Sequence, residues 1–339
     1  MKRIAVDEMI GTVLAHDLTR VVAGESKGVA FKRGHVIEAR DLPMLKDMGR
    51  NHLYALDVPG TSLHENDGAL RLAESLAGDN VGLSGAREGR VDLMSGCTGL
   101  LDVNRSLLDF VNAHPEIVVA TRHTDSVVRK GDTLAGAKIV PLTVEKSLLA
   151  EIEMASGITG PLLRVRPFLP LRVGMVVTGS EVYHGRIKDT FSPVLEKKVA
   201  AYGGRIVKKA LAPDDTDALR HRVADVLREE IDLLVLTGGM SVDPDDLTPG
   251  VIASIATDIV AYGSPVLPGA MFMAAYRGEL PIIGVPACGM YNKTTVLDLV
   301  LPRLFAGQRI SREFLLSKAH GGLCLNCPDC TYPDCPFGK

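Results

Sequence analysis

Two apolar stretches decide the fold of the second half of the chain: residues 171–180, LRVGMVVTGS, and residues 231–240, IDLLVLTGGM. Each is a run of branched apolar residues that ends in Thr and Gly, as does a strand buried on both faces of a parallel sheet. A helical spacing of apolar residues follows the first run, from Pro193 to Gly203-Gly204. Strands that alternate with helices imply a parallel sheet with right-handed crossovers.

The same alternation continues on both sides of the second run. Further strands are expected at residues 205–211 and 281–285, and helices are expected to start at Thr216, Thr248 and Asn292. Residues 1–165 are less regular and predict a mixed α+β domain. Its expected helices cover residues 41–48 and 103–112, and short strands are expected at residues 117–121, 126–129 and 138–142. The sequence thus predicts an N-terminal domain over 1–165, an α/β domain over 171–307 and a Cys-rich tail over 320–339.

Length and composition agree with this division and exclude several classes. A chain of 339 residues is long enough for two or three domains. Its net charge is −3 and its aromatic content is 4% with no Trp, so neither nucleic acid nor a membrane surface is an expected partner. Asp7 and Glu8 interrupt the apolar run that an export signal needs. The longest uncharged stretch, residues 259–276, is interrupted by Gly and Pro and is therefore not expected to form a membrane-spanning helix. We therefore expect a cytoplasmic protein.

Three of the predicted strands end in small or hydroxylated residues. These ends are Thr178-Gly179-Ser180, Thr237-Gly238-Gly239 and Gly284-Val285-Pro286. The carboxyl ends of parallel strands form the ligand crevice of an open sheet, where Gly lets backbone N–H groups approach an anion and hydroxyls add donors. Each segment alone also fits an ordinary tight turn. Two Thr-Gly ends in one sheet favour an anion site.

Carboxylates are expected at the same edge of the sheet. Asp189 follows the first strand, Asp214 follows the second, and Asp246 follows the third. Carboxylates beside an anion site suggest Mg²⁺, which takes one or two carboxylates together with phosphate oxygens. The alternative is helix capping, which suits Asp215 and Asp217 well. Thr248 already provides a cap after Asp246, so Asp246 is the freer carboxylate.

Five short motifs, in this order, resemble a known family. They are Thr178-Gly179-Ser180-Glu181, Gly185-x-Ile187-x-Asp189, Pro213-Asp214-Asp215, Thr237-Gly238-Gly239 and Asp246-Leu247-Thr248-Pro249. Together they resemble the molybdopterin-binding domain shared by molybdopterin adenylyltransferases and molybdopterin molybdenumtransferases. The resemblance covers residues 171–307 and implies a three-layer α/β fold that holds the phosphate of the pterin at the strand ends.

The resemblance also implies a function in molybdenum-cofactor biosynthesis. Molybdopterin or its adenylylated form would bind, and molybdate would be inserted with the help of Mg²⁺. The implied ligand-binding residues are Thr178, Gly179, Ser180, Thr237, Gly238, Gly239 and Ser241. The implied catalytic residues are Asp214, Asp246 and Asp189. Expected partners are molybdopterin, molybdate, a nucleotide, a second copy of the chain and a molybdoenzyme.

Two alternatives stay open at this point. The family's lysines are absent from the apolar segment 270–273, and the residues after Gly307 are too few for the family's C-terminal β-barrel. Both features favour a non-catalytic molybdopterin carrier or sensor. The segment Asp246-Leu247-Thr248-Pro249 is closer to the adenylyltransferase branch and favours adenylyl transfer from ATP.

The tail carries a second, separate signal. Cys324, Cys327, Cys330 and Cys335 form the pattern C-x₂-C-x₂-C-x₄-C, which is followed by Pro336. Three cysteines at i, i+3 and i+6 can direct thiolates at one small cluster, as in bacterial ferredoxins, whereas a structural zinc site more often uses two separated C-x₂-C pairs. The pattern predicts a metal site, either a [4Fe-4S] cluster or Zn²⁺. A redox-active set of disulfides is the alternative.

Overall fold

The computed structural model describes residues 2–22 and 26–339, and the chain divides into two units. The first unit holds Met1–Gly96, Val103–Arg122 and Lys130–Val165. The second unit holds Arg166–Lys339 together with two short earlier segments, Cys97–Asp102 and His123–Arg129. Among the described residues, no helix is both long and apolar enough to cross a lipid bilayer.

The described residues up to 167 form many short strands and four α-helices. The strands are β1 Lys2–Ala5, β2 Leu18–Val22, β3 Ser26–Phe31, β4 His52–Ala55, β5 Ser62–His64, β6 Val81–Leu83, β7 Arg90–Ser95, β8 Gly99–Val103, β9 Ile117–Thr121, β10 Val127–Val128, β11 Thr133–Ile139, β12 Thr143–Glu145 and β13 Leu163–Pro167. The helices are α1 Leu42–Asp47, α2 Glu65–Leu76, α3 Arg105–Asn112 and α4 Lys146–Thr159, with 3₁₀ turns at Val6–Glu8 and Ala39–Asp41. The mixed α+β character is confirmed.

The helix α2 is the main element that the sequence pattern missed in this region. Gly68 lies inside it and lowers its helix propensity. The structure explains the glycine: a Cβ at this position would lie 2.4 Å from Cγ1 of Val144. Gly68 therefore lets α2 pack closely against β12, a tertiary requirement that overrides propensity.

The second unit contains one six-stranded sheet and seven helices among the residues after 167. Its strands are β14 Arg172–Thr178, β15 Arg205–Ala212, β16 Leu233–Thr237, β17 Asp258–Tyr262, β18 Met273–Arg277 and β19 Leu280–Val285. Its helices are α5 Ser180–Tyr183, α6 Phe191–Ala200, α7 Thr216–Leu227, α8 Thr248–Ile255, α9 Cys288–Tyr291, α10 Val296–Phe305 and α11 Arg312–Ser317. The strand order is β15-β14-β16-β19-β18-β17.

The predicted parallel sheet is confirmed for four strands and is extended by two antiparallel strands. β15, β14, β16 and β19 run parallel. β18 pairs antiparallel with β19, because the two residues Gly278-Glu279 reverse the chain between them, and it pairs antiparallel with β17 on its other side. The sequence pattern did not show the β17–β18 hairpin, since Gly and Pro interrupt the stretch 259–276. The last predicted helix begins later than expected, at Val296, because Thr295 and Asp298 form its capping box.

Helices cover both faces of the sheet, which gives the expected three layers. On one face Met175 and Val235 pack with α6 and α10, where Leu195 and Val300 are fully buried. On the other face Val176 and Leu234 pack with apolar residues of α7 and α8. Strands buried on both faces explain the unbroken apolar runs in the sequence.

Phe305 provides a test of this core. Its side chain is 0% exposed and contacts the ring of Tyr202. We expect Phe305→Ala to lower the free energy of unfolding by about 3–5 kcal/mol, since it removes apolar contacts and leaves a cavity. Urea unfolding followed by circular dichroism measures the change. The control Leu316→Ala, at a residue that is 53% exposed, should cost less than about 1 kcal/mol. Equal effects of the two variants would contradict the assigned core.

Candidate functional site

The parallel register brings the three predicted strand ends to one edge of the sheet. Thr178 lies beside Ala212 of β15, and Thr237 lies between Val177 of β14 and Val285 of β19. The residues that follow these positions therefore leave the sheet side by side. This carboxyl edge is the candidate site.

Asp214 joins the loops that follow β14 and β15. Its carboxylate accepts a hydrogen bond from the hydroxyl of Thr178 at 3.1 Å and another from the backbone N–H of Ser180 at 2.8 Å. The N–H of Asp214 donates in return to Oγ of Ser180 at 3.1 Å. The structure thus brings together three predicted site residues, and Asp214 holds the Thr178-Gly179-Ser180 turn in place.

The turn after β16 lies very close to the backbone at the end of β14. Gly238 has a φ of +88°, and a Cβ there would lie 2.1 Å from the carbonyl oxygen of Thr178. Gly239 has a φ of +51°, which also favours glycine. Among the described residues, no backbone carbonyl accepts a hydrogen bond from the N–H of Gly238 or Gly239. These two N–H groups are available to an anion.

Thr237 already uses its hydroxyl within the protein. Its side chain is fully buried, and its hydroxyl donates to the carbonyl of Val285 at 3.1 Å. The hydroxyl therefore connects β16 to β19 and is used inside the protein. Ser241, four residues later, is exposed.

Asp246 lies next to the glycine turn. Its Oδ1 is 3.5 Å from the position of a Cβ on Gly239, and its carboxylate accepts a long hydrogen bond of 3.3 Å from the N–H of Asp243. The loop that carries Asp246 is closed by Thr248, whose hydroxyl donates to the carbonyl of Gly238 at 2.7 Å. The hydroxyl of Tyr262 donates to the carbonyl of Met240 at 2.9 Å. Burial and the nearby charge of Asp246 raise the pKa of Tyr262.

Asp189 is fully engaged by its own neighbours. Its carboxylate accepts the N–H groups of Phe191 and Ser192 at 3.0 and 2.9 Å, the hydroxyl of Ser192, and the ammonium of Lys209 at 2.8 Å. Burial alone would raise the pKa of Asp189, but the hydrogen bonds from Lys209 and Ser192 outweigh it and hold this pKa below its usual range. The geometry is that of a helix cap for α6.

Two contributors to this edge were not among the expected site residues. Tyr262 comes from the β17–β18 hairpin, which the sequence pattern did not show. Lys209 lies on β15, where exposed and half-buried residues alternate, and this alternation is the signal that could have indicated a polar outer face.

A metal ion would have few ligands from the protein alone. In the described part of the chain, no group of three or more His, Cys, Asp or Glu side chains is arranged to hold a metal ion. Mg²⁺ at the carboxyl edge would therefore depend on Asp246 and on phosphate oxygens of a ligand, as is usual for this ion.

The four tail cysteines lie elsewhere in the second unit. All four are free thiols; Cys327 and Cys330 are exposed, whereas Cys324 and Cys335 are half-buried. The hydroxyl of Thr294 lies 3.3 Å from Sγ of Cys330. This contact and the backbone N–H of Tyr332 lower the pKa of the Cys330 thiol.

The second unit is a three-layer α/β domain with a glycine turn at the carboxyl edge of its sheet. Residues 174–306 match the family model described as "Probable molybdopterin binding domain". This match confirms, for residues 174–306, the resemblance to the molybdopterin-binding domain seen in the sequence. Residues 3–57 match a model described as "Domain of unknown function (DUF8806)".

Individual proteins are similar to parts of the chain. A CinA-like protein of Anaeromyxobacter sp. (strain K) is 34% identical over 85 residues, which are 25% of this chain and 21% of that protein. A CinA-like protein of Citrifermentans bemidjiense is 30% identical over 86 residues, 25% of this chain and 20% of that protein. The chain thus spans about a fifth of the length of these curated relatives.

Solved structures are similar to a larger share of the chain. The molybdopterin biosynthesis enzyme MoaB of Thermus thermophilus is 21% identical, with 41% of this chain and 98% of that chain covered and a TM-score of 0.35. The tungsten cofactor synthesizing protein MoaB of Pyrococcus furiosus is 14% identical, with 41% and 98% covered and a TM-score of 0.34.

The cap formed by Asp189 predicts a pH-dependent contribution to stability. We expect Asp189→Ala to lower the free energy of unfolding by about 1–2 kcal/mol at neutral pH, because it removes the cap of α6 and the partner of Lys209. The pKa of Asp189 is lowered on folding, so this stabilisation is complete above the unfolded value of about 3.9 and is lost as the pH falls through the folded value. Urea unfolding of both proteins over this range measures the difference.

The control for this experiment is Asp189→Asn. Asn caps a helix nearly as well as Asp but carries no charge, so this variant should lose less stability than Asp189→Ala at neutral pH. A difference between wild type and Asp189→Ala that stays constant from neutral to strongly acidic pH would contradict the assigned role.

Proposed function

We propose that the second unit binds the phosphate end of molybdopterin, or of its adenylylated form, at the carboxyl edge of the sheet and acts in molybdate insertion. The single observation that carries this proposal is the Gly238-Gly239 turn. Two consecutive glycines with positive φ present N–H groups beside the turn that Asp214 holds in place. Backbone donors at the carboxyl ends of parallel strands suit a phosphate group. The family of residues 174–306 supports the choice of a phosphorylated pterin.

The proposed binding residues divide into two groups. Gly238, Gly239 and Ser241 present groups that remain available to the ligand. Thr178, Gly179, Ser180 and Thr237 act mainly by shaping the edge, since the hydroxyls of Thr178 and Thr237 are already donated to Asp214 and to the carbonyl of Val285. We place Asp214 and Asp189 among the positioning residues for the same reason, because their carboxylates are held by internal hydrogen bonds.

Asp246 is the proposed catalytic residue. Its carboxylate has one long internal contact and lies beside Gly239, so its oxygens are available at the place where the phosphate would bind. When bound there, Mg²⁺ would neutralise phosphate charge and polarise the phosphoryl oxygens. The carboxylate of Asp246 would hold the cation in position and orient a water molecule toward the phosphate.

Two competing functions make different predictions about ligands. A non-catalytic carrier or sensor would bind the pterin without turnover, and the apolar segment 270–273 favours it because no lysine there can neutralise an oxyanion. An adenylyltransferase would consume ATP together with molybdopterin. The availability of Asp246 favours an enzyme over a carrier.

Binding and turnover of the full chain separate these functions. Isothermal titration calorimetry with molybdopterin, adenylylated molybdopterin and ATP, each with Mg²⁺, should give binding of both pterins. Incubation of the adenylylated pterin with molybdate should then release AMP. Binding of the pterins without release of AMP would assign the carrier function. Release of pyrophosphate from ATP in the presence of molybdopterin would assign adenylyl transfer. The absence of pterin binding would overturn the proposed site.

Asp246→Asn tests the catalytic role within that site. The change keeps the shape of the side chain and removes its charge, so we expect turnover to fall by about 10²-fold or more, with pterin binding and the thermal melt nearly unchanged. Steady-state AMP release measures the effect.

Asp245→Asn is the matched control. Asp245 is the exposed neighbour in the same loop. If catalysis depends on the placement of the Asp246 carboxylate and not on the total charge of the loop, loss of the charge on Asp245 should change turnover less than about twofold. Equal losses in both variants, or unfolding of Asp246→Asn, would remove Asp246 from the catalytic role.

A further inference from the structure

The four tail cysteines line one cavity, although the sequence places them in a segment rich in Pro. The cavity has a volume of about 250 Å³ and lies between the tail and the segment 291–294 that precedes α10. All of Cys324, Cys327, Cys330 and Cys335 border it. Cys97 and Cys288 are not among its lining residues. The cysteines of the tail motif are thus the ones brought together.

The tail is anchored on both sides of the cysteine motif. Before it, the N–H of Cys324 donates to the carbonyl of Leu267 at 2.8 Å. After it, Phe337 is 4% exposed and packs into the core, while the carbonyl of Gly338 accepts the buried ammonium of Lys318 at 3.0 Å. In the middle, the hydroxyl of Tyr332 donates to the carbonyl of Asp298 at 2.9 Å. A segment without regular helix or strand is held in one place, with its thiols around a cavity.

The lining of the cavity selects for a soft, thiolate-bound group. Among the described residues, no carboxylate and no imidazole border it, and the one charged residue in its lining is Lys293. Hard cations such as Mg²⁺ and Ca²⁺ prefer carboxylate ligands, which this lining lacks, whereas thiolates select iron–sulfur clusters and zinc. Four thiolates carry four negative charges, which the ammonium of Lys293 partly offsets. Lys293 also holds the tail, because it donates to the carbonyl of Pro328 at 3.3 Å.

The size of the cavity favours a cluster over a single ion. Zinc binds thiolates at about 2.3 Å, so the four sulfurs around one zinc lie only about 4 Å from each other and leave no void between them. The tail cysteines border a cavity of about 250 Å³, and a cubane holds its cysteines at its outer corners, further apart than the ligands of one ion.

We propose that Cys324, Cys327, Cys330 and Cys335 bind one [4Fe-4S] cluster in this cavity. Each thiol loses its proton to solvent as its sulfur binds iron. The spacing of the first three cysteines matches the run that binds such clusters in bacterial ferredoxins. Cys335 is half-buried, borders the same cavity and supplies the fourth ligand. The site is independent of the carboxyl edge and does not rest on the proposed function.

Elemental analysis of the full chain tests the proposal. Protein produced with ample iron, sulfur and zinc and purified without oxygen should be brown and contain about four iron and four acid-labile sulfide per chain. The double variant Cys327→Ser, Cys330→Ser should lose more than half of this iron and its brown colour. Both residues are exposed, so the fold should tolerate their replacement.

Two controls separate the cluster from other effects. Cys97→Ser removes a thiol that does not line the cavity and should retain full iron content. Asp246→Asn should also retain it, whatever its effect on the pterin site. In addition, exposing the wild type to air and an iron chelator should lower its melting temperature by several degrees, while the melting temperature of the double variant stays constant.

The remaining outcomes overturn the proposal. About one zinc per chain without sulfide would assign a zinc site. Neither metal, with disulfides among the tail cysteines detected by mass spectrometry, would assign a redox-active thiol set. Iron that persists in the double variant would place the cluster on other residues.

Discussion

The close approach of Gly238 to the carbonyl of Thr178 determines the shape of the carboxyl edge. A side chain at residue 238 would overlap this carbonyl, because a Cβ would lie 2.1 Å from it. The exits of β14 and β16 can therefore meet only if this residue is glycine. Once they meet, the Thr178-Gly179-Ser180 turn lies beside Gly238, and Asp214 accepts hydrogen bonds from Thr178 and Ser180. The closeness of two neighbouring strand exits thus gathers the candidate ligand-binding groups at one edge.

The role of each polar residue at the carboxyl edge depends on how deeply its side chain is buried. Thr237 is 0% exposed and donates to a strand carbonyl, since a buried hydroxyl without a partner would be costly. Asp189 satisfies two N–H groups of α6 and the ammonium of Lys209. Asp246 and Ser241 lie nearer to solvent and keep most of their hydrogen-bonding capacity. Polar groups that are buried form hydrogen bonds within the protein, whereas polar groups near solvent remain available to a ligand.

A network of one buried and two half-buried charges anchors the end of the chain to the same unit. The ammonium of Lys318 is buried and contacts the carboxylate of Asp125 at 2.9 Å as well as the carbonyl of Gly338. Arg303 donates to the other oxygen of Asp125 at 3.0 Å. Asp125 belongs to one of the two early segments that join the second unit. Buried charges that are each paired and hydrogen-bonded can persist, so three distant parts of the chain meet around one carboxylate.

The amino-acid sequence by itself determined the layered α/β architecture and the family of residues 174–306. Strands buried on both faces leave continuous apolar runs, and turns that need positive φ leave glycines, so both are visible without a structure. The order of Thr178, Asp214, Gly238 and Asp246 along these strand ends was enough to indicate one edge of one sheet. The spacing of the tail cysteines likewise indicated a metal site, which stays a prediction.

Only the tertiary structure decided which of these polar groups are already used and where distant segments meet. Local sequence shows that Thr237 and Asp189 are polar, but their partners, Val285 and Lys209, lie on other strands. The β17–β18 hairpin, which supplies Tyr262, shows no clear alternation of apolar and polar residues. Burial along its two strands depends on the elements that pack against them. The cavity around the cysteines depends on the contact of the tail with the start of α10. These features arise from contacts between residues far apart in sequence, and local propensity carries no record of such contacts.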